Sequence, residues 1–347
     1  MESLGGCACM VTMKEIAEIC GVSRGTVDRA LNGRGRVNAE TAEKILRTAK
    51  ELGYEPNPAG KALAARKKRP VIGIVISSDG NPFFDDVLKG MKEAADQYKI
   101  YGVQIEYHTM KGYDTEKQLA TLKEIEDRLQ ALIINPIDDP AIAAQINSMV
   151  DRGIFVVTLN NDIEGTRRHC YVGSDYYNGG LTSCALLEAL LGQQAEIAVI
   201  LGSLKLRGHR LRLEGFKERM KKVPGFHLAA TIEHNDDDIY AYEVTKSLLT
   251  KHPEINAICV LAAGVYGTCR AVMQLPEGKR PLVLSFDTVP TTVEMMQFGI
   301  IKATIYQHPY RQGFSAVNKA FEYLVHGRLP EKEECILKNE IKLVENL

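Results

Sequence analysis

The segment Met13-Lys-Glu-Ile-Ala-Glu-Ile-Cys-Gly-Val-Ser-Arg-Gly-Thr-Val-Asp-Arg-Ala-Leu-Asn32 reads as two short helices pivoting on Cys20-Gly21-Val22-Ser23. Ile16, Ala17, Val22, Val27, Ala30 and Leu31 supply one apolar face, while Arg24, Thr26 and Arg29 lie opposite. Gly21 permits the positive φ that a tight interhelical turn needs, and the Ser23 hydroxyl can cap the second helix. This pattern is a helix-turn-helix, whose second helix enters a DNA major groove with its first residues against base edges. A third helix follows Asn38, with Ala42, Ile45, Leu46, Ala49 and Leu52 at helical spacing and Gly53 as the stop. Tyr54-Glu-Pro-Asn-Pro58 then breaks helix, a short helix-capable piece runs from Asn57 to Ala65, and Arg66-Lys-Lys-Arg69 marks a linker.

Charge divides the chain at the same place. Residues 11–69 hold 13 Lys and Arg against 7 Asp and Glu, a net of +6, whereas residues 70–347 hold 30 against 36, a net of −6. A basic head on an acidic body suits one nucleic-acid module joined to a domain that avoids phosphates. No apolar run approaches the ~20 residues that span a bilayer. The N-terminus lacks a basic stretch followed by an apolar one, so a cytoplasmic protein is expected. The eight cysteines show no zinc spacing and read as reduced thiols, with no metal site. Residues 1–10 carry no pattern and read as disordered or as a mis-assigned start ahead of Val11.

From Val71 onward, β-branched runs alternate with amphipathic helical stretches. Strands are expected at residues 71–77, 103–108, 131–135, 155–159, 171–173, 196–201, 228–232, 257–261, 282–285 and 302–306. Helices are expected at 83–98, 115–128, 141–151, 176–191, 210–221, 239–252 and 309–326. That alternation predicts an α/β protein with doubly wound parallel sheets, and ten strands suit two lobes better than one sheet. Ligands of such lobes bind beyond the carboxyl ends of strands. Residues at those ends include Asn81, Phe83 and Phe84 after the first strand, Asn160, Asn161 and Asp162 after the fourth, then Arg210, Asp287 and Gln307. Arg212, beside Arg210, reads as a surface charge. Aromatic rings with Asn, Asp, Arg and Gln suit a polyhydroxylated ligand, because rings stack on apolar sugar faces while planar side chains pair with hydroxyls. An enzyme is not expected: no GxGxxG follows the first strand, no GxSxG forms a strand-to-helix elbow, GxxxxGK(S/T) and HExxH are missing, and no cofactor is implied.

These residues resemble the lactose-repressor (LacI/GalR) family of bacterial transcription factors, from Val11 to about Lys342. Val11-Thr-Met-Lys-Glu-Ile-Ala is similar to the family's opening, and Gly21-Val-Ser-Arg-Gly-Thr-Val to its turn and recognition helix. Leu52-Gly-Tyr-Glu-Pro-Asn-Pro-Ala-Gly-Lys-Ala-Leu-Ala64 is similar to the end of the third helix and a hinge helix. By position, the resemblance implies that Arg24, Gly25 and Arg29 read bases, and that Thr12, Ser23, Thr26, Asn32, Asn38 and Thr41 meet phosphates. Leu63, with Ala59 and Ala62, would wedge into the minor groove. Met13, Asp28, Arg36 and Asn57 complete the implied DNA-contacting set. Gly25 offers no side chain, and Asp28 stands where a Ser is common.

The body resembles ribose-type periplasmic sugar-binding proteins, whose sugar-contacting positions match Asn81-Pro-Phe-Phe84, Arg210, Asp287 and Gln307. It departs from them at Ala262-Ala-Gly-Val265, where an Asn-Asp pair is frequent, and at Asn160-Asn161. The resemblance implies a head at 11–56, a hinge helix and linker at 57–69, and a two-lobed core at 70–347. Lobe 1 would hold about 70–172 and 308–334, and lobe 2 would hold 173–307 and 335–347. It further implies a homodimer on a near-palindromic operator, released or held by a small sugar effector. A sugar-binding protein of transport, without a DNA role, would explain the body but not residues 11–65.

Overall fold

The computed structural model describes residues 11–31, 37–54, 66–77 and 80–347. The head is three helices, α1 (Met13–Cys20), α2 (Arg24–Leu31) and α3 (Ala39–Glu51). Thr12 and Glu15 form a reciprocal cap on α1: Thr12 N donates to Glu15 Oε2 at 2.6 Å, and Glu15 N donates to Thr12 Oγ1 at 3.3 Å. Gly21 ends α1 at φ 71°, as the turn required. Ser23 Oγ accepts from Thr26 N at 3.1 Å, and Asn38 Oδ1 accepts from Glu40 N at 2.9 Å. Ile16, Val27 and Ile45, one from each helix, are fully buried at the centre. The hinge helix expected at 57–69 lies mostly outside the described residues.

The body comprises β1 (Val71–Ile76), α4 (Phe83–Tyr98), β2 (Gln104–Thr109), α5 (Thr115–Ile125), β3 (Ala131–Ile134), α6 (Pro140–Asp151), β4 (Phe155–Leu159) and β5 (Cys170–Ser174). It continues through α7 (Tyr176–Leu191), β6 (Gln194–Leu201), α8 (Arg207–Met220), β7 (Gly225–Glu233), α9 (Asp238–Lys251), β8 (Ala257–Val260) and α10 (Val265–Met273). It closes with β9 (Leu282–Phe286), α11 (Pro290–Gln297), β10 (Ile301–Tyr306), α12 (Pro309–His326), β11 (Glu334–Leu337) and β12 (Glu340–Lys342). Two six-stranded sheets result, in the orders β11-β5-β4-β3-β1-β2 and β12-β10-β9-β8-β6-β7. Every pairing is parallel except β12 with β10.

Strand pleat explains the layers. Ile72, Ile74 and Ile76 pack with Phe155 and Val317 on one face of the first sheet, while Val75 turns to Leu132 and Ile134 on the other. The second sheet repeats this, with Val199 and Leu201 on one face and Ala198 and Ile200 on the opposite one. Such two-sided burial is why β1, β3 and β8 read as unbroken apolar runs. The chain passes between sheets after β5, after β10 and after β11. The last passage falls between Leu337 and Glu340, later than the boundary expected at 335, because Cys335 and Ile336 still pair with Val172 and Gly173 of β5. No helix among the described residues is long and apolar enough to cross a membrane.

Candidate ligand cleft and exposed recognition helix

The carboxyl ends of both sheets face one cleft of about 920 Å³, part of it open to solvent. The first sheet contributes Asn81, Phe83, Phe84, Asn135, Asn160 and Asn161; the second contributes Arg212, Asp287 and Gln307. Phe83 and Phe84 meet edge to face at 5.2 Å and form the apolar wall. Asn81 sets their position, since its Oδ1 accepts from Phe83 N at 3.0 Å.

Arg212 is the centre of the polar wall. Its side chain is buried, with Nη1 donating to Leu261 O at 2.5 Å and Nη2 donating to Gln307 Oε1. The guanidinium lies between two rings, 4.6 Å from the Tyr176 centroid and 4.0 Å from that of Phe286. Gln307 Nε2 in turn donates to Asp287 Oδ2 at 2.8 Å. Asp287 sits in the left-handed region at φ 64°, held by its N–H to Ile305 O at 2.8 Å and by Thr304 Oγ1 on its carbonyl at 2.8 Å. Burial raises its carboxyl to about 7 against the opposing pull of Arg212. Asp287 Oδ1 and Arg212 Nε are sealed from water without a partner among the described residues. An unpaired acceptor and donor in one cleft fit a ligand that both gives and takes hydrogen bonds.

Seven of the nine residues expected at the ligand line the cleft, and two do not. Arg210 turns to the rim, where it donates to Leu204 O at 2.7 Å and pairs with Asp138 of the other sheet's loops. Two residues apart on α8, Arg210 and Arg212 are ~200° apart around the axis, so only one can face the cleft. Asp162 holds Arg168 through two 2.8 Å bonds and accepts from Thr158 Oγ1 at 2.7 Å. Arg168 then reaches Glu333 O at 3.0 Å, so Asp162 ties a loop instead of a ligand. Asn161 lines the cleft, but its amide is occupied: Nδ2 donates to Pro136 O at 2.7 Å and Oδ1 accepts from Gly208 N at 3.0 Å.

Residues outside the expected set also line the cleft, among them Asn135 at the end of β3, Tyr176 at the start of α7, Tyr113, His209 and Asp236. Asn135 ends a strand and was therefore findable; Tyr113 and Asp236 lie on loops beside edge strands, where the sequence pattern is weak. Burial lowers the His209 imidazole to about 4, leaving it neutral near pH 7. A third junction at the start of α8 joins Arg207 to Glu164 at 2.9 Å. Among the described residues, no group of three or more His, Cys, Asp or Glu is arranged to hold a metal.

In the head, Arg24, Gly25 and Arg29 are exposed on α2, with Thr12, Ser23 and Asn38 exposed just ahead of α1, α2 and α3. Arg29 is braced, its Nε donating to Gly25 O at 3.1 Å. Met13, Thr26, Asp28 and Thr41 are half-buried. Asn32, Arg36, Asn57, Ala59, Ala62 and Leu63 lie outside the described residues.

Residues 72–328 match the model of the periplasmic binding protein domain, and residues 12–57 match that of the lacI family of bacterial regulatory proteins. The ribose import binding protein RbsB of Bacillus subtilis (strain 168) is 27% identical over 297 residues, covering 84% of this chain and 93% of its own. The ribose operon repressor of the same organism is 26% identical over 316 residues, covering 88% of this chain and 90% of its own. Among solved structures, GanP, a glucose-galactose binding protein from Geobacillus stearothermophilus, matches with a TM-score of 0.73 at 28% identity, over 80% of this chain and 99% of that one. The chain belongs to the lacI family of bacterial regulatory proteins, a helix-turn-helix head joined to a periplasmic-binding-protein core.

Proposed function

We propose that this protein is a cytoplasmic, homodimeric transcriptional repressor, not an enzyme, whose hold on a near-palindromic operator is changed by a monosaccharide or related polyol in the cleft. The observation that carries the ligand half is the Arg212–Gln307–Asp287 chain, with one unpaired acceptor and one unpaired donor buried beside aromatic rings. Sugars supply vicinal hydroxyls to such planar partners and an apolar face to Phe83 and Phe84.

For the DNA half, the exposed Arg24 and Arg29 suit base edges, and the helix starts at Thr12, Ser23 and Asn38 suit phosphates. Asn32, Arg36, Asn57, Ala59, Ala62 and Leu63 extend that set on sequence grounds. Two such heads on one dimer demand two half-sites a helical turn or a multiple apart. A head with this chemistry argues against a transport role. Ligand that prefers the closed lobes shifts operator affinity by its differential binding, typically ~1–3 kcal/mol.

The test is a thermal-shift screen of the full chain against monosaccharides and cyclitols, repeated on Asp287→Ala. At 100 times its dissociation constant, a ligand stabilises by about 2.7 kcal/mol. A hit that the variant loses, and that changes operator binding in a titration, supports the reading. A flat screen removes the sugar effector.

A further inference from the structure

The turn after β7, residues 234–238, folds over the end of β6 and borders the cleft at Asp236 and Asp238. Asn235 and Asp236 hold φ 55° and 57°, and Asn235 N donates to Gly202 O at 2.8 Å. Asp236 Oδ2 accepts from Tyr113 OH, which reaches across from the first sheet's loops. Asp236 Oδ1 is sealed from water and meets no partner among the described residues. It lies so close to Gly202 that a Cβ there would fall 2.2 Å away, so glycine makes the room this carboxylate occupies. Beneath it, His234 is fully buried, with neither ring nitrogen partnered among the described residues. Gly264 of the cleft floor covers that ring, and a Cβ on it would sit 2.4 Å from His234 Cε1.

Asp287 follows β9, whereas the Asp236 carboxylate lies against Gly202 after β6. β9 and β6 are separated by β8 alone, so the strand ends beside which the two carboxylates lie are about two strand spacings, ~10 Å, apart. Two hydrogen bonds of ~2.7 Å with a six-membered ring between them fill such a gap. Among the described residues, Arg212 is the one Lys or Arg lining the cleft, beside three carboxylates, and two of its nitrogens already serve Leu261 and Gln307.

We propose that Asp236 is a second ligand-binding carboxylate, and that with Asp287 it selects an uncharged polyol bearing hydroxyl donors at both ends, refusing acid sugars and sugar phosphates. This rests on the sugar reading above and adds its charge class. An anion here would face the Asp236 and Asp287 carboxylates against the single Arg212 guanidinium, whose charge both carboxylates already share, a repulsion that excluded water cannot screen.

Titration calorimetry of the full chain, with thermal shift as a second readout, would use myo-inositol, D-glucose, D-galactose and D-ribose against D-glucuronate, D-galacturonate and D-glucose 6-phosphate. A neutral compound is expected to bind at least ~100-fold more tightly than its acidic counterpart. Asp236→Asn should weaken that neutral ligand roughly tenfold and narrow the discrimination against its acid by a similar factor. Asp236→Ala should cost more, and the Asn variant keeps the test open if the Ala variant folds poorly. Acid sugars that bind as well as neutral ones, or a neutral ligand indifferent to Asp236→Asn, would overturn the inference while leaving the sugar effector standing. Silence from every compound removes the sugar effector, and this inference with it.

Discussion

Asp287→Asn should stabilise the ligand-free protein at pH 8 while abolishing its response to ligand. Burial holds the Asp287 carboxyl at about 7 against an ordinary 3.8, despite the neighbouring Arg212. Below pH ~4 the acid is protonated in both folded and unfolded chains and contributes nothing. Between about 4 and 7 the unfolded chain loses that proton first, so folding becomes progressively less favourable, and above 7 the cost is constant. Roughly three pH units at 1.4 kcal/mol each set an upper limit of about 4 kcal/mol. Asparagine imitates the protonated acid and its Oδ1 can still accept from Gln307, so the variant escapes that penalty.

Urea unfolding at pH 5, 6, 7 and 8 would measure the gap, read by far-UV circular dichroism because the chain has no tryptophan. The gap in favour of the variant should widen by up to ~1.4 kcal/mol per pH unit between 5 and 7 and level off by 8. A gap that does not change with pH, or that shrinks as pH rises, would refute a carboxylate kept acidic-form by burial. A destabilised ionised acid awaiting a hydroxyl donor is the trade of stability for binding expected at a working site.

Three further outcomes follow from the same geometry. Arg212→Lys should abolish ligand binding in a calorimetric titration, since ammonium cannot bridge Leu261 O and Gln307, whereas Arg210→Ala should retain measurable binding. Gly180→Ala would put a Cβ 2.0 Å from Arg212 O and 2.7 Å from Phe216 N, both backbone. Forcing α7 and α8 apart should destabilise the core by ~1–3 kcal/mol or more in urea unfolding and weaken ligand as Arg212 shifts. Arg24→Ala should weaken operator binding by at least ~tenfold in a mobility shift, with the thermal response to effector intact.

Much of this was legible in the sequence because each local signal had a single reading. The cap at Ser23, the turn at Gly21 and the spacing of Ile16, Val27 and Ile45 all favour the same three helices. Val71-Ile-Gly-Ile-Val-Ile76 can be little but a strand buried on both faces. The misses share a cause, which is that tertiary context set the answer. Strands β11 and β12 are short, half-exposed edges, stabilised by pairing with partners over 30 residues away in the chain. Helices α10 and α11 span only 9 and 8 residues and lack a side-chain cap, so Pro290 at the start of α11 is the one start signal the pair carries. In α8 arginines occur on every side, and the phase that buries Arg212 is set by its crossing with α7 at Gly180, which spacing within α8 cannot reveal. Asp162 was drawn away from the ligand by Arg168, a partner whose choice depends on how the loop folds.

The three junctions at the start of α8, Arg207 with Glu164, Gly208 with Asn161 and Arg210 with Asp138, join the two sheets through protein groups alone. If shutting the lobes is the signal, this clasp sets the floor of the response, because it favours the shut form independently of the effector. The floor would show in a cell as a response without effector, and it caps the ratio between the effector-bound and effector-free outputs. Two of the junctions are ion pairs at the rim, so salt weakens them more than it weakens the buried contacts. The regulator's effector-free output would thereby be tied to ionic strength, apart from any change in how tightly the effector binds.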